Sequence, residues 1–196
     1  MDVEGLQKYI IELLEENLDP RLTYHGITHT IDVMTSAMRL ADMEKLNGRS
    51  RDLLKSAALL HDIGMLHKYE DHEFESAEMA EEILPGFGYE KKDIDEIKEM
   101  ILSTRLPQSA ANNLQKILCD ADLDYLGRDD FHILSLSLKY EWDTMQINPT
   151  TLKEWYQIQV DFLTNHEYFT KSAQKLRNDK KMEFLDQIKE ICQFKK

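Results

Sequence analysis

Cysteine is almost absent from this chain: Cys119 and Cys192 are the only two among 196 residues. They stand far apart inside helical patterns, which excludes a disulfide framework and a cysteine zinc site. A chain of this length can bury a core without either device, and both thiols read as core residues. Glycine and proline are also scarce, at seven and four, so the breaks they make at Pro20, Gly48, Gly64, Pro85-Gly86, Gly88, Pro107, Gly127 and Pro149 leave helix-length segments between them. No stretch alternates apolar and polar residues with a period of two, which argues against a sheet. No apolar run reaches membrane-spanning length, and Met1-Asp-Val-Glu-Gly has no basic start to a leader. The expectation is a soluble, cytoplasmic protein with no membrane partner. Cations are outnumbered, 24 Lys and Arg against 37 Asp and Glu, for a formal net charge of -13. Long-range repulsion then excludes general affinity for nucleic acid or anionic membrane. A small anionic substrate would need local positive charge, which bound metal ions could supply.

What is present is helical periodicity. Leu6, Ile10, Leu13 and Leu14 predict a helix over about residues 2 to 18, and Ile31, Met34, Met38 and Ala41 a second over about 28 to 46. A third, capped by Ser50, runs to His61-Asp62; Glu73 to Leu84 gives a fourth, and Ile94, Ile97 and Ile101 a fifth ending near Ser103-Thr104-Arg105. Asn112 or Asn113 opens the next, Asp129 caps one through about Met145, and Thr150 or Thr151 caps another carrying Leu152, Trp155, Gln159, Phe162 and Leu163. The last, about 170 to 193, carries Ala173, Leu176, Leu185, Ile188 and Cys192, with an interruption expected at Asn178-Asp179. The fold class is therefore all-α: one compact domain over residues 1–196, a bundle of about eight to nine helices. His166, Tyr156, Tyr168 and Phe169 read as packing of the C-terminal helices, and Arg177 as a surface residue.

The chemistry gathers on fewer positions. In Ala57-Ala-Leu-Leu-His61-Asp62-Ile-Gly64, a His-Asp pair ends an apolar helical run, with Gly64 placed to stop the helix. Ala58, Leu59, Met65 and Leu66 lie one turn from Asp62, so its carboxylate faces the core and needs a partner. Asp120, Asp122 and Asp124 occupy alternate positions of one helix and cannot share a face. Asp122 has Leu118, Cys119, Tyr125 and Leu126 around it and is read as the inward one, either as a helix-helix contact or as a ligand. His25 and His29 precede a helix in Tyr24-His25-Gly26-Ile-Thr-His29-Thr-Ile-Asp32-Val33; each fits a boundary residue or a ligand. Mixed nitrogen and carboxylate donors suit a divalent metal, whether Mn, Fe, Co, Zn or Mg.

A histidine, a His-Asp doublet about thirty residues on and an aspartate about sixty beyond, each on its own helix, resemble the signature of the HD superfamily of metal-dependent phosphohydrolases. The resemblance spans about residues 22 to 130; residues 131–196 would pack on that core. It implies His29, His61, Asp62 and Asp122 as metal ligands for one or two divalent ions, with Asp62 bridging and counted, with His25, among the catalytic residues. The run Tyr24 to Val33 is similar to the first metal motif of class I cyclic-nucleotide phosphodiesterases, which puts the general acid on His25. His72-Glu73-Phe-Glu-Ser76-Ala77 resembles small bacterial HD hydrolases. Gly26 stands where the phosphodiesterases have asparagine, and Thr104 or Arg105 where many small hydrolases have another histidine. The implied activity is hydrolysis of a small phosphate ester by a metal-activated water, most simply a nucleotide diester or monoester. The alternative is a metal-containing domain that senses a nucleotide without turnover. His72, Arg105 and Lys68 are the candidate substrate contacts, and the outer side of the C-terminal helices could pair in a homodimer.

Overall fold

A computed structural model describes residues 1–193. Among them are nine α-helices and no strand: α1 (Val3–Asn17), α2 (Ile27–Met43), α3 (Gly48–Leu60), α4 (His72–Ile83), α5 (Lys91–Ser103), α6 (Asn113–Asp122), α7 (Phe131–Met145), α8 (Leu152–Asn165) and α9 (Lys171–Gln193). Three 3-10 turns, Ile63–Leu66, Leu84–Phe87 and Asp124–Gly127, join or extend them. Several helices start where a side chain satisfies free backbone N–H groups. Asp2 accepts from Gly5 N at 2.9 Å. Asn112 with Gln115, and Thr151 with Glu154, form reciprocal capping boxes at α6 and α8.

The apolar stripes converge on one core running from Leu6 on α1 to Ile188 on α9. α2 packs on α3 and α6, α3 on α5, and α4 on α5; α9 lies against α8 and the turn Asp124–Gly127. Phe131, at the start of α7, stacks on Phe184 of α9 with ring centroids 5.0 Å apart. No helix among the described residues is long and apolar enough to cross a membrane.

Several local expectations change. Ser50 lies inside α3, whose N-cap is Asn47, and Asp130 rather than Asp129 precedes α7. α9 continues through Asn178-Asp179. Two mediocre helix formers cost about 1.4 kcal/mol at most, less than is gained by burying Ala173, Phe184, Leu185 and Ile188. Leu176, expected inward, is exposed. Arg177 is no surface residue: its guanidinium bonds the Asp124 carboxylate at 2.7 and 2.9 Å. Asp120 and Asp124 are both buried, each 1% exposed. α6 stops at Asp122 and the chain tightens into a 3-10 turn, so the three aspartates do point apart, but α9 and the Phe169-Thr170 segment before it cover the side expected to face water. Asp120 takes the backbone N–H groups of Phe169 and Thr170, at 2.7 and 2.8 Å.

Gly64 does not terminate α3, which ends at Leu60 with His61 as its C-cap. Its need for a missing side chain lies elsewhere. A Cβ there would meet the His72 carbonyl oxygen at 2.2 Å and the Ser76 nitrogen at 2.7 Å. Glycine lets the turn after His61-Asp62 lie directly on the first turn of α4, where Gly64 N donates to Ser76 Oγ at 2.8 Å.

Candidate metal centre and its cavity

Four helix ends meet in one place. His29 lies in the first turn of α2, His61 and Asp62 follow the last turn of α3, His72 opens α4 and Asp122 closes α6. Donor atoms of His29, His61 and Asp122 lie within 4.8 Å of one another. His29 Nε2 is 3.3 Å from His61 Nε2, 3.3 Å from Asp122 Oδ1 and 3.3 Å from Asp62 Oδ2. His61 Nε2 is 3.2 Å from Asp62 Oδ2 and 3.6 Å from Asp122 Oδ1. Asp62 faces two ways: its Oδ1 lies 3.2 Å from His72 Nε2.

This arrangement fits a divalent ion. A metal with ligands at about 2.1 Å sets donor-donor edges of about 3.0 to 3.4 Å, from octahedral to tetrahedral, and the distances above fall at or just beyond that range. Asp62 Oδ2 is buried and accepts no hydrogen bond. His61 Nδ1 lies 2.9 Å from the Ala58 carbonyl oxygen. A carbonyl can only accept, so Nδ1 carries the proton and Nε2 turns its lone pair to the site. His72 is set the same way by the Tyr69 carbonyl at 2.9 Å.

In the protein without an ion, protons take the place of positive charge. Burial disfavours an imidazolium at His29, but the facing carboxylates of Asp122 and Asp62 outweigh it and raise its pKa to about 8. Against the same burial, Asp62 and Asp122 hold His61 well above its usual value. Burial would raise Asp122, yet His29 and His61 bring it down to about 2, and Asp62 is held well below the carboxylate range by His61 and His29. His72, opposed by burial and favoured by Asp62, is raised to about 9. A metal must displace these protons.

His25 stands beside the cluster, its ring centroid 5.8 Å from those of both His29 and His72. Its Nδ1 lies 2.5 Å from Glu141 Oε1 on α7. Glu141 is fully buried and was not anticipated from the sequence. Its Oε2 accepts the backbone N–H groups of Tyr24 at 2.7 Å and His25 at 3.0 Å, and its Oε1 also accepts Tyr69 Oη–H at 2.8 Å. Burial works against this carboxylate, but His25 and those N–H groups keep its pKa below the ordinary value. The signal existed: Glu141 falls seven residues after Leu134 and three after Leu138, on the inward stripe of α7. Tyr69, in a polar connection, gave none.

A cavity of about 140 Å³ opens beside the cluster, with His25, Asp62, His72, Glu73 and Asp122 on its polar side. Arg105 and Lys68 are not among its lining residues. Arg105 turns outward to Asp71 at 2.6 Å and over the Phe74 ring, although its neighbours Thr104 and Leu106 line the cavity. Lys68 lies 3.4 Å from Glu75 and is 45% exposed along its side chain.

The comparisons agree with this geometry. The chain is similar in structure to a crystal structure described as a predicted HD superfamily hydrolase from an uncultured Thermotogales bacterium, with a TM-score of 0.64, 25% identity, and 96% of this chain and 90% of that one covered. It is 33% identical over 107 residues to an uncharacterized protein of Clostridium beijerinckii, a match covering 53% of this chain and 66% of that protein's length. Residues 26–124 match the family model of the HD domain, a span that holds His29, His61, Asp62, His72 and Asp122 and ends just past α6. The chain belongs to the HD domain family.

Proposed function

We propose that this protein is a metal-dependent phosphohydrolase acting on a small phosphate ester. The observation that carries the reading is the cavity's polar wall: two imidazoles and three carboxylates, Asp62, Asp122 and Glu73, with no lysine or arginine among its lining residues. Such a wall repels a phosphate unless cations sit between them. His29, His61, Asp62 and Asp122 would hold the first ion, and the outward oxygen of Asp62 with His72 would face a second. A bound divalent ion supplies Lewis acidity toward the phosphoryl group and an ionisable water at neutral pH. The hydrolase description of the Thermotogales structure supports the same reaction class.

The chain's own residues do the rest. Glu141 accepts the Nδ1 proton of His25, which leaves Nε2 as the atom that delivers a proton to the leaving oxygen. Tyr69 and the backbone N–H groups of Tyr24 and His25 fix Glu141, so the imidazole is held in one orientation before substrate arrives. The apolar side of the cavity excludes water from that proton.

The test combines metal analysis with turnover of monoester and diester phosphates. The wild type is expected to hold metal and turn over at least one ester. His61→Ala and Asp122→Ala should lose both, whereas His25→Ala should keep its metal and lose turnover, less so with an acidic leaving group that needs no proton. Metal-replete protein inert toward every ester would defeat the proposal.

A further inference from the structure

The cavity beside the metal cluster is small, about 140 Å³ with its metal side included, but it does not stand alone. A second, more open hollow of about 640 Å³ adjoins it, and Leu106, Leu123 and Phe162 line both. Leu123 directly follows Asp122 in the chain, so the shared wall begins beside a candidate metal ligand. Gln108 ties the two together at a second point. It lines the outer hollow, yet its Nε2–H groups reach the Cys119 carbonyl at 3.1 Å and Asp122 Oδ2 at 3.4 Å.

The shared wall is apolar, and part of it is uncovered. Leu106, in the connection between α5 and α6, is 56% exposed. A lone exposed leucine carries little meaning. One that sits where a hollow meets a cluster of histidines and carboxylates is a surface that a bound molecule would cover.

Beyond that wall the chemistry changes. Phe169 adds a further apolar face, Asn165 an exposed amide and Glu167 an exposed carboxylate. No lysine or arginine is among the lining residues. Lys181, behind His166, is 5% exposed and turns its ammonium to the His166 carbonyl. His166 is itself neutral near pH 7, because burial, then the charge of Lys181, lowers its pKa to about 4. The one charge on this lining is therefore negative.

Resting on the hydrolase reading, we propose that the two hollows form one site for an elongated phosphate ester. The phosphoryl group lies on the metal side, the alcohol passes as an apolar segment over Leu123 between Leu106 and Phe162, and its far end lies in the outer hollow toward Asn165 and Glu167. The substrate class is the phosphate ester of a long, amphiphilic alcohol whose far end is a hydroxyl, amide or amine. A carboxylate or second phosphate there would face Glu167 with no cation to hold it.

Equilibrium binding to the metal-loaded protein, measured by calorimetry, tests this without turnover. The probes are alkylphosphonates, whose phosphorus is bonded to carbon and resists hydrolysis: ethyl, 6-hydroxyhexyl, 6-aminohexyl and 5-carboxypentyl. The 6-hydroxyhexyl compound should bind about ten- to a hundredfold more tightly than the ethyl one, since it buries four more methylene groups. The 6-aminohexyl compound should match or exceed it, and the 5-carboxypentyl compound should bind about three- to tenfold less tightly than the hydroxyl compound. Asn165→Trp, at an exposed position where a bulky ring fills the outer hollow, should cut the gain from length to below about threefold. Glu167→Gln should bring the amino and carboxyl compounds together. Absence of binding, equal binding of short and long probes, a gain from length that survives Asn165→Trp, or a carboxyl end preferred to an amino end would overturn the inference. The matching phosphate esters separate it from the reading on which it rests: probes that bind in this order to a protein that hydrolyses none of the esters would uphold the elongated site and remove the hydrolase reading instead.

Discussion

Glu141 shows how much one buried carboxylate can organise. It accepts from four donors, two of them main-chain, and so ties the segment before α2 to α7 while setting which nitrogen of His25 holds a proton. Glu141→Gln keeps the shape but replaces one acceptor oxygen with a donor that must face an existing N–H or O–H. Turnover should fall about ten- to a hundredfold, as for other side chains that orient a reacting imidazole, with metal content unchanged. The loss should shrink on esters with acidic leaving groups, because those do not draw on His25. Equal loss on all esters would make Glu141 a fold-stabilising residue and no more. Tyr69→Phe removes a single donor to the same carboxylate and should give a smaller effect of the same pattern.

The candidate metal centre owes its geometry to where helices stop. His61-Asp62 falls where α3 gives way to a 3-10 turn, and Asp71 holds a left-handed backbone (φ 55°) that starts α4 at His72. That conformation is uncommon outside glycine, asparagine and aspartate. Gly64 is the point where these two ends touch, so Gly64→Ala should act on the site through the backbone. Its methyl group would meet main-chain atoms of His72 and Ser76, which cannot swing aside as a side chain could. Thermal unfolding should report a loss of about 1 to 3 kcal/mol or more, accompanied by weaker metal binding as His72 and Glu73 are pushed from Asp62; destabilisation with metal affinity intact would show that α4 is not coupled to the centre. The sequence revealed part of this. Periodicity and caps such as Asn112 and Thr151 marked the helices, and the spacing of His29, His61, Asp62 and Asp122 marked what converges. It could not show that Asp124 would be buried against Arg177, or that Gly64 serves contact rather than termination. Those roles come from α9 and α4, elements distant in sequence whose docking side no local pattern specifies. Gln159 was legible as an inward residue of α8, but not as one whose buried Oε1 has no hydrogen-bond partner among the described residues.

Across the molecule, histidines of opposite character bracket the pH range of stability. In metal-free protein, His29 at about 8 and His72 at about 9 stand above the 6.5 of an unfolded histidine. Between those values the native chain binds more protons than the unfolded one. Their contribution is therefore complete below about pH 6.5 and is lost as pH rises through 8 to 9. His166 behaves in the reverse sense: burial, then the charge of Lys181, lowers it to about 4, so the unfolded chain binds the extra proton. Its neutral form contributes fully above about pH 6.5, and the contribution drains away as pH falls toward 4, by about 3 kcal/mol at most. Melting temperature measured in chelator should peak near pH 6.5 to 7 and decline on both sides. His166→Phe, which can keep the stacking on Phe162 and the edge-on contact with Tyr168, should flatten the acid side between pH 4.5 and 6.5 and leave the alkaline side alone. A saturating divalent ion should do the opposite: it binds neutral imidazole, its affinity grows as pH rises through the pKa of His29, and the alkaline decline should disappear or reverse. An alkaline decline that persists unchanged with metal present would mean that the ion does not bind where His29 and His61 meet.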